Sequence, residues 1–270
     1  TTYTQENQYK TAQFVRYENQ WNNTWHLSLL FWNDGRENTG KHYYTQTFGL
    51  PTLKFQKGNT TVSGYYYQQV GKTSQDLSRN AFNTSIQIKQ VIDFTAPPSE
   101  ESEMKQSQKL QLVAGFELLS GTSSTITTEN NSFSPLYGTN HIFNGYLDWF
   151  FVGGGFENSV GLQDYYAKAR YDFNTKLFLQ TDVHVFQSMA KAYDSNNEEL
   201  SKNLGTELDV SLGFIVNKAV SIQGGYSQMW ATDTLVGLKG AIHPSEVQNW
   251  AYVMFIIRPT MKNKFVGIML

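Results

Sequence analysis

Apolar and polar residues alternate along most of the chain, which is the pattern of β-strands that have one apolar and one polar face. In residues 206–214, Leu208 and Leu212 share one face, and Glu207 and Asp209 share the other. Strand-like segments also occur at 9–18, 24–33, 43–56, 61–70, 81–94, 109–118, 162–171, 176–186, 220–229 and 248–258, and the alternation is strong from residue 81 onward. The sequence therefore predicts about eleven strands of roughly ten residues, the length that crosses a bilayer when the strand is tilted.

The predicted connections alternate between tight turns and long loops. The tight turns are at 19–23, 57–60, 172–175 and 216–219, and the long loops are at 34–42, 71–80, 120–160, 188–202 and 230–247. The charged connection at 96–106 is an exception, because it is long although it lies on the side of the tight turns. Short turns on one rim and long loops on the other are typical of outer-membrane barrels. We therefore expect an all-β fold, an antiparallel transmembrane β-barrel, with residues 1–270 forming a single domain.

The number of strands bears on the completeness of this barrel. If the long loops lie outside the cell and the last strand ends in the periplasm, the first predicted strand begins on the outside. Bacterial single-chain barrels have even strand numbers. Eleven strands are an odd number, so we expect that this chain of about 11–12 strands lacks N-terminal strands of a larger barrel. That barrel is expected in the outer membrane of a Gram-negative envelope, with its C-terminus in the periplasm.

The long loop at 120–160 contains an unusual stretch, FSPLYGTNHIFNGYLDWFFVGGG at 133–155. Seven of its residues are Tyr, Trp or Phe, with Gly and Asn between them. Such a composition predicts a structured loop rather than a flexible linker. We expect this loop to fold into the lumen and narrow it, with a constriction formed by Tyr137, Asn140, His141, Asn144 and Asp148. The alternative is a surface Ω-loop on a water-soluble β-protein.

Composition narrows the function classes. The 270 residues contain no cysteine, which excludes disulfides, thiolate catalysis and thiolate metal sites. The formal net charge of −2 gives no general attraction to nucleic acid. Aromatic residues make up 15% of the chain and charged residues 16%, which fits a protein that faces both lipid and the membrane interface. No apolar run reaches the roughly 18 residues of a transmembrane helix.

The polar strand faces give the candidate pore lining. With the apolar faces against lipid, the pore-lining residues are Lys89, Lys109, Glu117, Asp164, Lys168, Arg170, Lys176, Asp182, His184, Glu207 and Asp209. Charges of both signs hold water and orient polar solutes, whereas rings of one sign set ion preference. The alternative is a ladder of salt bridges that only stiffens the wall, and the two interpretations are compatible.

Catalysis is not expected, and no cofactor or metal is predicted. Outer-membrane phospholipases place a Ser two residues after a His, but Phe143 occupies that position relative to His141. The five histidines also lack a ligand spacing such as HxxxH. The sequence therefore favours a protein that is not an enzyme.

Several motifs together resemble the alginate-export family of outer-membrane porins. They are LYGTNHIFNG at 136–145, YLDWFFVGG at 146–154, GLQDYYAKARY at 161–171, LGTELDVSLGF at 204–214, GGYSQMWATDT at 224–234 and NWAYVMFIIRPT at 249–260. The resemblance implies a monomeric barrel of about eighteen strands, longer than this chain, with a polar lumen narrowed by loops.

Two functions follow from this interpretation. The first is a porin-like channel for passive diffusion of small hydrophilic solutes, with carbohydrates or an exported anionic polysaccharide as candidates. The second is a non-conducting structural or accessory barrel of a larger envelope complex. Outer-membrane lipid, lipopolysaccharide and other envelope proteins are the expected partners, and a continuous lumen would separate the two functions.

Overall fold

The computed structural model describes residues 9–38, 40–95, 108–126, 128–135, 144–150, 159–240, 245, 247–258, 260–261 and 264–265. Three of the predicted constriction residues, Tyr137, Asn140 and His141, lie outside the described residues.

Long strands account for most of the described residues. They are β1 (Tyr9–Trp21), β2 (Trp25–Asn38), β3 (Lys41–Lys57), β4 (Thr60–Lys72), β5 (Ser78–Asp93), β6 (Lys109–Leu119), β8 (Leu162–Asp172), β9 (Leu177–Gln187), β10 (Asn203–Ile215), β11 (Val220–Ala231) and β12 (Val247–Ile257). Three short strands are β7 (Glu129–Asn130), β13 (Thr260–Met261) and β14 (Lys264–Phe265), and one helix is α1 (Asp233–Lys239).

The long strands form one antiparallel meander. Within the described residues, each long strand pairs with its neighbours in the chain, in the order β1-β2-β3-β4-β5-β6-β8-β9-β10-β11-β12, and β7 joins β5 in parallel. A meander of this kind needs only local connections between antiparallel neighbours. The predicted all-β, antiparallel class is confirmed.

Alternation along the strands gives the sheet two different faces. In β10, Glu207, Asp209 and Ser211 are buried, whereas Leu212 is 50% exposed. Successive side chains of a strand point to opposite faces, and the antiparallel register keeps directly paired residues on the same face. We call the face that carries Glu207 and Asp209 the polar face and the opposite one the apolar face.

Two of the predicted long loops are wrong. The loop predicted at 34–42 is almost entirely strand, because β2 continues to Asn38 and β3 starts at Lys41. Ladder pairing of Glu37 with His42 satisfies the backbone of these polar residues, so pairing overrides their turn propensity. The loop predicted at 71–80 is shorter than expected, since only residues 73–77 separate β4 from β5.

The connection between β11 and β12 contains a helix that the sequence analysis did not predict. Thr232 caps its N-terminus by accepting a hydrogen bond from the backbone N of Leu235, and Gly240 ends it with a left-handed φ of 63°. In the part of the chain that the structure describes, no helix is long and apolar enough to cross a membrane.

Candidate functional site: a covered acidic cluster

Five carboxylates lie close together on the polar face. They come from β6 (Glu117), β8 (Asp164), β9 (Asp182) and β10 (Glu207 and Asp209), and we call them the acidic cluster. Glu117 is 8% exposed and the other four at most 1%. The register places Glu117 directly opposite Asp164, and Asp182 directly opposite Asp209. Residues directly opposite in a sheet have neighbouring side chains, so the strand order itself assembles the cluster.

Two basic side chains belong to the same area. Lys168 Nζ lies 3.2 Å from Asp182 Oδ2, and His184 Nδ1 lies 2.9 Å from Asp164 Oδ1. Lys168 and Asp182 face each other across β8 and β9, which makes their ion pair a cross-strand contact. The His184 ring is buried, as is Asp164. The Lys168 contact balances part of the negative charge of the acidic cluster, and the His184 ring hydrogen-bonds the Asp164 carboxylate.

Residues 144–150 of the long loop lie against the acidic cluster, and we call them the covering segment. Asn144 Nδ2 donates to Glu117 Oε2 at 3.1 Å and to Asp164 Oδ2 at 3.2 Å. The backbone N of Leu147 donates to Glu207 Oε1 at 2.9 Å. Hydrogen bonds to a charged group are roughly twice as strong as those between neutral groups, so these contacts hold the segment against the polar face.

Local backbone geometry explains several residue types in the covering segment. Gly145 has a φ of +86°, and a Cβ there would lie 2.6 Å from the Glu207 carboxylate. A side chain at this position would therefore push the segment away from Glu207. Asn144 and Asp148 have φ values of 58° and 57°, a region that Asn and Asp adopt more readily than other side chains.

Tyr146 carries the covering segment further across the polar face. Gln180 Nε2 donates to its hydroxyl oxygen at 3.5 Å. Burial raises the pKa of the Tyr146 hydroxyl, and the nearby carboxylate of Asp182 raises it further. The phenol therefore stays neutral and can donate to an acceptor at any physiological pH.

Apolar packing secures the end of the covering segment. The rings of Phe150 and Phe186 are 4.3 Å apart, and Leu147 and Trp149 pack against the same core. The buried members of this core are Ala81, Leu119, Phe133, Leu162, Phe186, Leu204, Met229 and Leu235. The hydrophobic core thus lies where the long loop meets the sheet.

A buried glutamine forms a second anchor for the long loop. Gln69 is fully buried in β4; its Nε2 donates to the carbonyl of Ser134 at 2.8 Å, and its Oε1 accepts from the Ser134 N at 3.0 Å. The amide side chain therefore imitates one rung of a β-ladder. It fixes the first half of the long loop on the polar face, just before residue 136.

A cavity of about 380 Å³ lies beside the acidic cluster. It is lined by side chains of the polar face that include His26 on β2, Lys54 on β3, Gln87 on β5, Lys168 on β8 and His184 on β9. Five strands separate β2 from β9 in the sheet. In a flat sheet these two strands would be about 29 Å apart. The sheet therefore curves around the cavity, with the polar face inside.

The predicted pore-lining residues do not all lie on one strand face. Lys176 belongs to the exposed turn between β8 and β9, where its backbone N bonds Asn174 Oδ1 at 2.8 Å. The prediction that β9 starts at Lys176 is therefore wrong by one residue, because Asn174 closes the turn. The other ten, which occupy the polar face of β5, β6, β8, β9 and β10, are Lys89, Lys109, Glu117, Asp164, Lys168, Arg170, Asp182, His184, Glu207 and Asp209.

Short ion pairs brace part of this wall. Arg170 Nη2 lies 2.8 Å from Asp172 Oδ1, and its guanidinium stacks 3.7 Å from the centre of the Phe178 ring. Lys109 Nζ lies 3.5 Å from Asp93 Oδ2. Lys109 and Arg170 lie toward the short-turn ends of β6 and β8, whereas Lys168 lies level with Asp182 and Asp209 of the acidic cluster.

Sequence reasoning missed the residues that support the acidic cluster. The Tyr65 hydroxyl donates to Glu117 Oε1 at 2.6 Å, and Asn83 Nδ2 donates to the same oxygen at 3.1 Å. Tyr65 and Asn83 occupy the alternate positions that face the polar side of their strands. This alternation is the sequence signal that could have identified them as supporting residues. Among the described residues, no three His, Asp or Glu side chains are arranged to hold a metal ion.

Comparison with known proteins gives similarity only at the level of solved structures. No family model matches the chain, and no curated protein matches it. Among solved structures, the chain is similar to the NanC porin in its rhombohedral crystal form, with a TM-score of 0.38 and 6% sequence identity. The alignment covers 91% of this chain and 91% of the porin chain. A TM-score this low does not establish a shared fold or function, and the alginate-export resemblance rests on the sequence motifs alone.

Proposed function

We propose that the chain forms a porin-like β-barrel in the outer membrane, through which small hydrophilic solutes diffuse passively. The observation that carries this proposal is the inverted burial of the sheet. Charged side chains are buried on the polar face, and large apolar side chains are exposed on the other.

The exposed face has the character of a lipid contact. Ile86 on β5 is 51% exposed, Leu212 on β10 is 50% exposed and Tyr165 on β8 is 43% exposed. A water-soluble sheet buries its apolar face and leaves the polar one in solvent. Contiguous apolar surface on this scale marks a site of contact with membrane or protein. Its extension over neighbouring strands, each long enough to cross a bilayer, favours the membrane.

The buried face has the character of a channel wall. It is charged, it carries residues of both signs, and it curves around a cavity bordered by β2 and β9. Outer-membrane barrels alternate an apolar outer face with a polar interior in this way. A wall of mixed charge holds water and favours small polar solutes. Carbohydrates are the solute class that the alginate-export resemblance adds to this proposal.

The covering segment is the proposed constriction. Asn144 and Leu147 hold it against the acidic cluster, so it narrows any path along the polar face. Of the constriction residues expected from the sequence, Asn144 contributes hydrogen bonds and Asp148 a left-handed backbone conformation. The same contacts favour the second function, a barrel closed by its own loop that serves a larger envelope complex.

Conductance in planar bilayers separates the two functions. The intact protein is expected to give discrete current steps, because water-filled barrels conduct ions. Replacement of residues 144–150 by a Gly-Ser sequence of equal length removes the hydrogen bonds to Glu117, Asp164 and Glu207 while preserving the length of the loop. We expect larger steps from this variant.

The matched control is the same replacement at residues 194–200, which belong to the exposed loop between β9 and β10. This change should leave the step size as it is in the unaltered protein. A bilayer that stays silent with the unaltered protein and with the 144–150 variant would contradict the channel and favour the accessory barrel.

A further inference from the structure

The acidic cluster has more carboxylates than basic partners among the described residues. Among the ion pairs of the described residues, Lys168 and His184 are the basic partners of the cluster, and they contact Asp182 and Asp164. Neither contact reaches Asp209. Glu117 is satisfied by hydrogen bonds from Tyr65, Asn83 and Asn144. The carboxylates left with neither a basic partner nor a full set of hydrogen bonds are therefore Glu207 and Asp209 on β10.

Buried polar atoms without partners converge on the same place. Both carboxylate oxygens of Asp209, Glu207 Oε2, His184 Nε2 and Ser227 Oγ have no hydrogen-bond partner of ordinary geometry among the described residues. Ser227 and Glu207 lie close enough to the Asp209 carboxylate to interact with it. All four residues are at most 2% exposed. Buried polar atoms are almost always satisfied, so a group of them without partners points to a bound ligand or water.

The sheet register places these atoms in one patch. Asp209 lies opposite Ser227 on β11 and opposite Asp182 on β9, and Glu207 lies opposite His184. Gly145 and Tyr146 of the covering segment lie above Glu207 and Asp182, respectively. The patch is therefore enclosed between β9–β11 and the covering segment.

The chemistry of the patch selects the kind of ligand. Its acceptors are carboxylate and hydroxyl oxygens, which suit hard cations and ammonium groups. No three His, Asp or Glu residues in the described chain are arranged as a metal centre, so a chelated divalent ion does not fit. A small monovalent cation, held by charge and keeping part of its water, does fit.

We propose that Asp209 and Glu207 form a binding site for small monovalent cations such as K⁺ or an ammonium group, and that this site makes the channel selective for cations. The inference rests on the proposed channel function. An anionic solute would meet like charge at the covering segment, so the acidic cluster disfavours an anionic polysaccharide as cargo.

The test is the reversal potential of the intact protein across a KCl gradient in a planar bilayer. We expect a potential of the sign that cation flow produces. Asp209→Asn keeps the shape of the side chain and removes its charge. The loss of one carboxylate a few ångströms from a cation in water lowers local cation occupancy about fivefold. The reversal potential of this variant should therefore move toward zero, and Glu207→Gln gives the same test if Asp209→Asn does not fold.

Asp76→Asn is the matched control, because Asp76 is exposed in the loop between β4 and β5 and has a φ of 63° that Asn accepts. Its reversal potential should equal that of the unaltered protein. An unselective or anion-selective channel, or no change with Asp209→Asn, would overturn the inference and leave the channel function standing.

A protein that does not conduct, either unaltered or with residues 144–150 replaced, would instead contradict the proposed function. The site is then judged by the NMR signal of Tl⁺, a K⁺ analogue, mixed with the intact protein in detergent. If the unaltered protein and Asp76→Asn broaden the Tl⁺ signal but Asp209→Asn does not, the cation site is supported. A sharp Tl⁺ signal with the unaltered protein would refute it.

Discussion

Arginine in place of Val183 is expected to destabilise the protein by about 2–4 kcal/mol in a lipid bilayer. Val183 lies at the middle of β9, faces away from the acidic cluster and is 38% exposed. It is paired with Ala167 on β8 and Leu208 on β10, so its surroundings on the apolar face are apolar too. A charge at the bilayer midplane cannot be solvated there, and this is the source of the cost.

Val216→Arg is the matched control for this substitution. Val216 is 42% exposed, nearly the same as Val183, but it lies in the turn after β10, at the end of the strands. The cost there should fall to about 0–1 kcal/mol, because the side chain reaches the interface. The free energy of unfolding is measured by denaturant titration in lipid vesicles. Equal and small effects at both positions, within about 0.5 kcal/mol as on a water-exposed surface, would contradict the lipid contact.

Alanine in place of Phe186 is expected to cost about 3–5 kcal/mol of unfolding free energy. Phe186 is fully buried, its ring lies 4.3 Å from that of Phe150, and it stacks on His184 at 5.6 Å. Truncation leaves a cavity between β9 and the covering segment, and the surrounding sheet cannot collapse into it. The same denaturant titration measures this loss.

Phe214→Ala serves as the control for Phe186→Ala, since Phe214 is 45% exposed on the apolar face of β10. Its cost should be clearly smaller, because no enclosed cavity forms. A third variant, Phe186→Leu, should recover much of the loss, since it restores most of the removed volume. If Phe186→Ala costs no more than Phe214→Ala, the covering segment does not depend on this contact.

The alternation of residues predicted the strands and their faces well, for a physical reason. The period of a strand is two, so a polar face needs only local information: Glu207 and Asp209 follow from their own neighbours in the sequence. The same logic failed at residues 34–38. There the turn-forming residues are held in strand by pairing with β3, and the pairing is not visible in local composition.

The candidate site itself was only partly predictable. Alternation predicted each carboxylate separately as a member of a polar strand face, but their assembly depends on the register of β6 through β10. The contacts of Asn144 with Glu117 and of Gln69 with Ser134 join residues far apart in the chain. No periodicity in the sequence encodes such contacts. Composition can therefore indicate that a loop is structured, but only the structure shows where on the sheet it packs.

Spin labels at two adjacent positions of β5 test most directly whether the polar face lines water and the apolar face contacts lipid. The chain has no cysteine, so Gln87→Cys and Ile88→Cys each introduce a single labelling site. Gln87 lines the cavity, whereas Ile88 is 50% exposed on the apolar face. In vesicles, we predict that a water-soluble nickel chelate relaxes the label at residue 87 more strongly, and that oxygen dissolved in the lipid relaxes the label at residue 88 more strongly. The reverse order, or equal access of the nickel chelate to both labels, would contradict the barrel.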